Sequence, residues 1–242
     1  MDILNKIPIV VEADSINDAY QSLLRKFRII NRKYFSKTAI LVIKNIYCSQ
    51  LPCKVIEPYN EYYRVFFQNS LLEKKWNLLD KEWYLSYARR IMKERNGIVP
   101  WNKAKQEILS NKYSRRCVIN TYSGEDDYLN YMPALLAIQF IVENDKLNML
   151  TYWRSKELYT ALPVNILCMH SLMRLMLNEL KLQYKTLEMG IYTEIIGSLH
   201  ILPESTIPSQ FGDSLKNMDL QKVKFLWSVL DYGKENEYDE NY

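Results

Sequence analysis

Two short arginine motifs in this chain could bind a phosphate group. Arg115 and Arg116 follow each other at the start of a strand-like run, and Arg154-Ser155 ends another. A guanidinium can donate two parallel hydrogen bonds to a phosphate, so both positions suit an anionic ligand. Because an unpaired charge at Arg154 would be costly to bury, we expect an anion partner beside it, either bound or internal. The alternative for Arg115 and Arg116 is a surface pair that binds nothing.

Further motifs surround these arginines in a fixed order. Four pieces succeed one another along the chain: Pro133, Gln139-Phe140, Arg154-Ser155 and Pro163-x-Asn165. This order resembles the core of the thymidylate synthase family, which also contains the pyrimidine-nucleotide hydroxymethylases. The resemblance covers roughly residues 15–203 and is strongest over 111–200.

The resemblance implies a phosphate site that two subunits share. Arg115 and Arg116 would reach into the neighbouring subunit, while Arg154 and Ser155 would hold the same phosphate from within their own chain. Glu157 stands where the family has Asp, which keeps the charge but lengthens the reach. A face of the sheet would then form the interface of a homodimer, or of a heterodimer with an active homologue.

The resemblance also implies contacts to the base and the sugar. The Asn165 amide would read the pyrimidine edge, and Asn rather than Asp here favours uracil or thymine over cytosine. Gln139 is a further base or sugar contact. His200 would hold the sugar 3′-hydroxyl, although Leu202 replaces the tyrosine of the family's sugar clamp. The residues alone leave two alternatives open: Asn165 as a helix N-cap, and His200 as a core residue.

The family's nucleophilic cysteine is missing. Where the family has Cys-His, this chain has Ala134 and Leu135. A methyl group cannot add to C6 of a pyrimidine, so we expect no catalytic residue at this position. Cys117 and Cys168 could replace the cysteine only if the fold departs from that of the family. Since Leu135 and other positions diverge as well, natural divergence explains the alanine better than an engineered substitution does.

The folate side of the resemblance is weaker. Glu73, in Glu73-x-x-Trp76, is a weak candidate for the carboxylate that relays protons through water in the family. The family's Tyr-Gly pair is absent from the comparable stretch, which reads GIVPWNK around Trp101. A reduced folate is therefore expected only if the protein is an enzyme.

Three functions follow as hypotheses. The first is a non-catalytic binding or regulatory subunit for a pyrimidine nucleoside monophosphate, with uracil favoured. The second is an enzyme, a methyltransferase- or hydroxymethyltransferase-like protein that uses non-covalent one-carbon or group-transfer chemistry on such a nucleotide. The third is a protein-interaction scaffold on the same fold.

Composition limits the class of protein. Of 242 residues, 48% are hydrophobic and 25% charged, as in globular proteins, and the net charge of +4 is spread too evenly for a general nucleic-acid binder. No signal or membrane segment is apparent, so we expect a cytoplasmic protein with reduced cysteines. The cysteines lack metal-ligand spacing; Cys48-x4-Cys53 comes nearest, and we expect no metal.

Hydrophobic periodicity predicts one α+β domain over residues 1–230, with a large mixed or antiparallel sheet packed with helices, and a polar, acidic, mobile tail at 231–242. Ser15 and Asp18 form a capping pair, and Asn144-Asp145 forms a hairpin turn. The predicted strands are 7–13, 38–47, 115–122, 134–144, 146–155 and 194–203. The predicted helices are 16–30, 71–95, 103–110 and 162–181.

Overall fold

A mixed β-sheet connects the first and the last described residues of the chain. A computed structural model describes residues 8–29, 36–46, 85–92, 95–123, 126, 132–158 and 161–200. The strands are β1 Ile9–Ala13, β2 Ser36–Ile43, β3 Val118–Asn120, β4 Leu135–Glu143, β5 Lys146–Trp153, β6 Lys156–Glu157 and β7 Glu188–His200. The helices are α1 Ile16–Ile29, α2 Leu85–Met92, α3 Pro100–Ser110 and α4 Ala161–Lys181. These elements confirm the predicted α+β class.

The sheet order is β1-β2-β7-β5-β4-β3, and β6 adds to β7 beyond the end of β5. β1 is parallel to β2, and β5 is parallel to β7. The β2–β7, β3–β4 and β4–β5 pairs are antiparallel. Since β5 and β7 run in the same direction, their carboxyl ends meet at one edge, and α4 connects them on the way.

The helices cover one face of the sheet. Strand residues alternate between a buried set that faces the helices and a more exposed set, as in β2, where Lys37, Ala39, Leu41 and Ile43 are buried. α4 is apolar almost all round and lies in the centre of the core, which fits the wide apolar stripe of its sequence. On the other face, exposed apolar side chains lie in four strands: Val10, Val118, Tyr152 and Ile191.

Local sequence signals explain the ends of several elements. The Ser15 hydroxyl accepts a hydrogen bond from the Asp18 amide at 3.1 Å and donates to the Asp18 carboxylate at 2.7 Å, which confirms the capping pair before α1. Asn144 and Asp145 both have positive φ, 50° and 57°, as a two-residue hairpin turn between β4 and β5 requires. Pro100 occupies the first turn of α3, where its missing N–H has no cost.

Some element bounds differ from those predicted. β3 is shorter than the predicted strand 115–122, because Ser114 and Arg116 form a local turn in which the Ser114 hydroxyl accepts the Arg116 amide at 3.2 Å. α3 begins at Pro100 rather than at residue 103, and β7 begins at Glu188 rather than at residue 194. Most of the predicted helix 71–95 and the tail 231–242 lie outside the described residues. None of the described helices is long and apolar enough to span a membrane.

His170 is expected to make folding depend on pH. It is buried in α4, and this burial, together with the neighbouring Arg174 charge, lowers its pKa to about 4. A pKa below the unfolded value means that stability is complete above pH 6.5 and is lost as the pH falls toward 4. The loss attributable to His170 is at most about 3 kcal/mol.

Urea unfolding at pH 7 and pH 4.5 measures this loss. His170→Gln removes the titrating group and should lose less stability on acidification than the wild type. His200→Gln, which changes a half-buried histidine at the end of β7, serves as the control and should behave as the wild type. Equal acid losses in the wild type and His170→Gln would contradict the prediction.

Candidate functional site

Several predicted site residues meet at the edge where β5, β6 and β7 end. Arg154 and Ser155 connect β5 to β6, and Glu157 in β6 pairs with His200 in β7. The Leu158 amide donates to the His200 carbonyl at 2.9 Å, which fixes this pairing. The topology therefore brings Arg154 and Ser155, from the set of phosphate candidates, and the sugar candidate His200 to one edge of the sheet.

Arg154 is held by the segment that carries the nucleophile position. Its Nε donates to the Pro133 carbonyl at 3.0 Å, and one Nη donates to the Met132 carbonyl at 2.6 Å. The other Nη donates to the Ser155 hydroxyl at 3.0 Å, and the Arg154 amide donates to the Ala134 carbonyl at 2.8 Å. These partners are neutral carbonyl and hydroxyl groups, so the predicted anion partner of Arg154, bound or internal, stays a prediction. Arg154 is thus hydrogen-bonded to the backbone of the segment that ends at Ala134.

Tyr87 is a site residue that the sequence analysis missed. Its hydroxyl accepts hydrogen bonds from the amides of Ala134 at 2.8 Å and Leu135 at 3.1 Å. A tyrosine before a small residue, Ala88, was the available signal, but the comparison with the family placed that pair near Trp101 instead. Trp101 lies elsewhere: its ring contacts Phe140, and its indole N–H donates to the Glu179 carboxylate at 3.1 Å.

Glu157 and Asn165 lie at the start of α4. The buried Glu157 carboxylate accepts the Ala161 amide at 3.2 Å, so it satisfies one of the free N–H groups at this helix end. Since α4 begins at Ala161, Asn165 lies on its second turn, and the N-cap alternative for Asn165 is wrong. The Asn165 side chain is buried. Its amide can therefore bond to groups inside the protein or in a ligand site.

Arg115 and Arg116 lie far from Arg154 within one chain. Both are exposed and precede β3, and the Cys117 carbonyl accepts the amide of Phe140 in β4. Arg154 lies beside Ala134, at the other end of β4, and the rise along a strand puts the two arginine sites roughly 20 Å apart. Gln139 lies with the first pair, because its amide donates to the Arg115 carbonyl at 3.0 Å. The structure does not bring Gln139 to Arg154.

A buried ion pair beneath the site was also missed. Lys156 and Glu194 are both fully buried, and Lys156 Nζ donates to the Glu194 carboxylate. From the sequence, Lys156 was taken only as the variable position between Arg154-Ser155 and Glu157. The available signal was that a lysine stood in a short run between apolar strand and apolar helix, where a charge requires a partner.

The two described cysteines are not activated as nucleophiles in this structure. Cys117 and Cys168 are buried free thiols. Burial raises the pKa of Cys117 to about 12 and raises that of Cys168 further, so both remain protonated near neutral pH. The thiolate is the nucleophilic form. Within the described ranges, no group of three or more His, Cys, Asp or Glu residues could hold a metal ion.

The remaining predicted residues are placed as follows. His200 is half-buried, and its Nδ1 lies 3.2 Å from the Ser198 carbonyl, so one ring nitrogen is engaged inside β7. Glu73, Trp76 and Leu202 lie outside the described residues, as do Cys48 and Cys53.

Comparison with known proteins identifies similar sequences. A sequence profile of the family described as Thymidylate synthase matches residues 60–206, more than half of the chain. Over 107 residues the chain is 32% identical to a thymidylate synthase of Mycoplasma genitalium, and the match covers 44% of this chain and 36% of that protein. The chain thus spans about a third of the length of this curated relative. β1, α1 and β2 precede the matched range, and the two strands belong to the same sheet as the matched strands.

Arg154→Met should destabilise the protein even without a ligand. It removes the donors to the Met132 and Pro133 carbonyls, and the expected loss is about 1–3 kcal/mol in the free energy of unfolding. Arg115→Met, at an exposed arginine, is the matched control and should change stability by no more than about 0.5 kcal/mol. Urea unfolding of both variants measures the difference. Equal stability of the two variants would show that the contacts of Arg154 contribute nothing.

Proposed function

Because the chain belongs to the thymidylate synthase family, we propose that it is a member that binds a pyrimidine nucleoside monophosphate without catalysing the family reaction. The observation that carries this proposal is Ala134 at the position of the family nucleophile, within a segment that is still held in place. Its carbonyl bonds to the Arg154 amide, and its own amide bonds to Tyr87. An intact frame without a nucleophile suits binding rather than covalent chemistry.

The phosphate end of the site has donors to spare. A guanidinium carries five N–H groups, and three of those of Arg154 are used by Pro133, Met132 and Ser155. Within the described part of the chain this leaves one N–H on each Nη, which is the number that a bidentate phosphate contact needs. The Ser155 hydroxyl can donate its own hydrogen to the same anion.

The base and sugar would lie along α4 and β7. Asn165 offers an amide with both a donor and an acceptor, which matches the O4 and N3 atoms of uracil or thymine. His200, with its Nδ1 near the Ser198 carbonyl, would present Nε2 to a sugar hydroxyl. We therefore favour a uridine- or deoxyuridine-type monophosphate as the ligand. Gln139 would contact the nucleotide only through a rearrangement of β4 or from a second chain.

A second chain would complete the phosphate site. Arg115 and Arg116 are exposed and lie roughly 20 Å from Arg154 along β4, so one chain cannot bring both to one phosphate. The sheet face opposite the described helices, with Val10, Tyr152 and Ile191 exposed, would provide the interface. We propose a homodimer with shared sites, with a heterodimer with an active homologue as the alternative.

Isothermal titration with deoxyuridine and uridine monophosphates tests the binding function. We expect binding by the wild type and loss of binding in Arg154→Met and in the double variant Arg115→Met/Arg116→Met. Co-expression of the two variants should restore binding, because each mixed dimer has one site with Arg154 from one chain and both arginines from the other.

Two outcomes would count against the proposal. Absence of wild-type binding at millimolar nucleotide would leave the scaffold hypothesis. Turnover of nucleotide and a methylene-folate, measured by mass spectrometry, would favour the enzyme hypothesis. Failure of the mixed dimer to bind, with the wild type binding normally, would remove only the shared site.

Ala134→Cys should restore covalent chemistry at the first step. If position 134 faces C6 of the base, the new thiol should add to C6 of 5-fluorodeoxyuridine monophosphate, and the adduct is detected as a mass increase of the protein. Ala137→Cys, at a half-buried position in β4, the strand that follows residue 134, is the control and should form none. A folded Ala134→Cys variant that binds the nucleotide without forming an adduct would contradict this placement of the base.

A further inference from the structure

The chain leaves the β-ladder for two residues between β5 and β6. Trp153 pairs with Ile196, and pairing resumes with Lys156 opposite Leu199 in the same register. Arg154 and Ser155 lie between these pairs, opposite Gly197 and Ser198, and no residue is inserted in either strand. The two backbones come close at this point, since a side chain at Gly197 would begin 3.0 Å from the Arg154 carbonyl. The glycine thus allows the Arg154–Ser155 segment to pass close to β7.

Lys156 spans the Arg154–Ser155 segment on the buried side. It follows this segment in sequence, yet its ammonium pairs with Glu194, which lies opposite Thr151, a residue that precedes the segment. The side chain therefore runs back along the sheet, and Nζ lies 3.5 Å from the centre of the Trp153 ring. This is a cation–π contact without competing water, since the lysine side chain is fully buried.

The partners of Lys156 are themselves held in place. The second oxygen of Glu194 accepts the Tyr192 hydroxyl at 2.6 Å. The Thr151 hydroxyl lies 3.0 Å from that of Tyr192 and accepts the indole N–H of Trp153 at 3.1 Å. Every member of this group is buried. A connected polar network of this kind fixes side chains in one arrangement.

Trp153 continues the contact toward the nucleophile position. Its ring packs edge-on against Tyr87, with the ring centres 5.9 Å apart. The Tyr87 hydroxyl accepts the amides of Ala134 and Leu135. A continuous series of contacts therefore connects Glu194, through Lys156, Trp153 and Tyr87, to Ala134.

We propose that Lys156 is a positioning residue. It fixes the Arg154–Ser155 segment and, through Trp153 and Tyr87, the segment around Ala134. The use of that geometry, to hold a phosphate, rests on the proposed function above. A buried ion pair adds little stability over an apolar pair of the same volume. The contribution of Lys156 and Glu194 is instead to fix the position of Arg154 and Ser155.

The charge of Lys156 makes this role sensitive to pH. Burial lowers its pKa to about 8, against the opposing effect of Glu194. The other titratable groups that face it are Tyr192 in β7 and Cys168 in α4, and burial raises the pKa of both, so neither ionises near pH 8. Above about pH 8 the ammonium loses its charge, and the bridge to Glu194 weakens.

Hydrogen exchange of the ligand-free protein tests the positioning role. In Lys156→Met/Glu194→Gln both charges are removed together, so that no unpaired charge remains buried. We expect amide exchange in peptides covering residues 132–136 and 152–156 to accelerate about tenfold or more, while a peptide over the 144–150 hairpin exchanges as in the wild type. Lys146→Met, at an exposed lysine in β5, is the control and should change neither region.

Unchanged exchange at 132–136 and 152–156 in the folded double variant would overturn the proposal, and so would equal acceleration in the 144–150 peptide, which would indicate a general loss of stability. A second readout uses titration with deoxyuridine monophosphate between pH 7 and 9. The wild-type affinity should weaken above pH 8, and the double variant should lack this step. If the wild type binds no nucleotide, the proposed function fails, and the exchange experiment still decides the role of Lys156.

Discussion

The need of the Arg154 guanidinium for hydrogen-bond acceptors organises the whole edge of the sheet. A half-buried cation at the end of an apolar strand must find partners, and it takes the carbonyls of Met132 and Pro133 together with the Ser155 hydroxyl. These hydrogen bonds connect the end of β5 to the start of β4. The backbone at position 134 is therefore held by an arginine whose contacts do not involve the side chain of that residue.

This independence means that the segment is held in the same way whatever side chain position 134 carries. Tyr87 binds the backbone of residues 134 and 135, not their side chains, and backbone amides are the same in any sequence. Removal of a thiol at position 134 breaks none of these contacts. The two remaining described cysteines are buried and protonated, so they serve as core residues.

Much of the fold could be predicted from local signals. The apolar stripe of α4, the capping pair at Ser15 and the turn at Asn144-Asp145 each depend on residues close in sequence, and all three are found in the structure. The partners of Lys156 could not be predicted, because Glu194 lies in a strand that pairs with the β5 region only in the folded sheet. Tyr87 was missed because the family's Tyr-Gly pair was sought near Trp101 rather than at Tyr87-Ala88. The distance between Arg116 and Arg154 depends on strand register, which composition does not reveal.

The sheet order also governs when the chain can fold. β2 pairs on one side with β1 and on the other with β7, so Ser36–Ile43 cannot complete its pairing until Tyr192–His200 has been synthesised. Contacts of such long sequence separation slow folding, since a large loop must close before they form. During translation the β7-facing edge of β2 therefore stays open until late. An open strand edge can pair with another chain, so this order of synthesis exposes β2 to aggregation until β7 is complete.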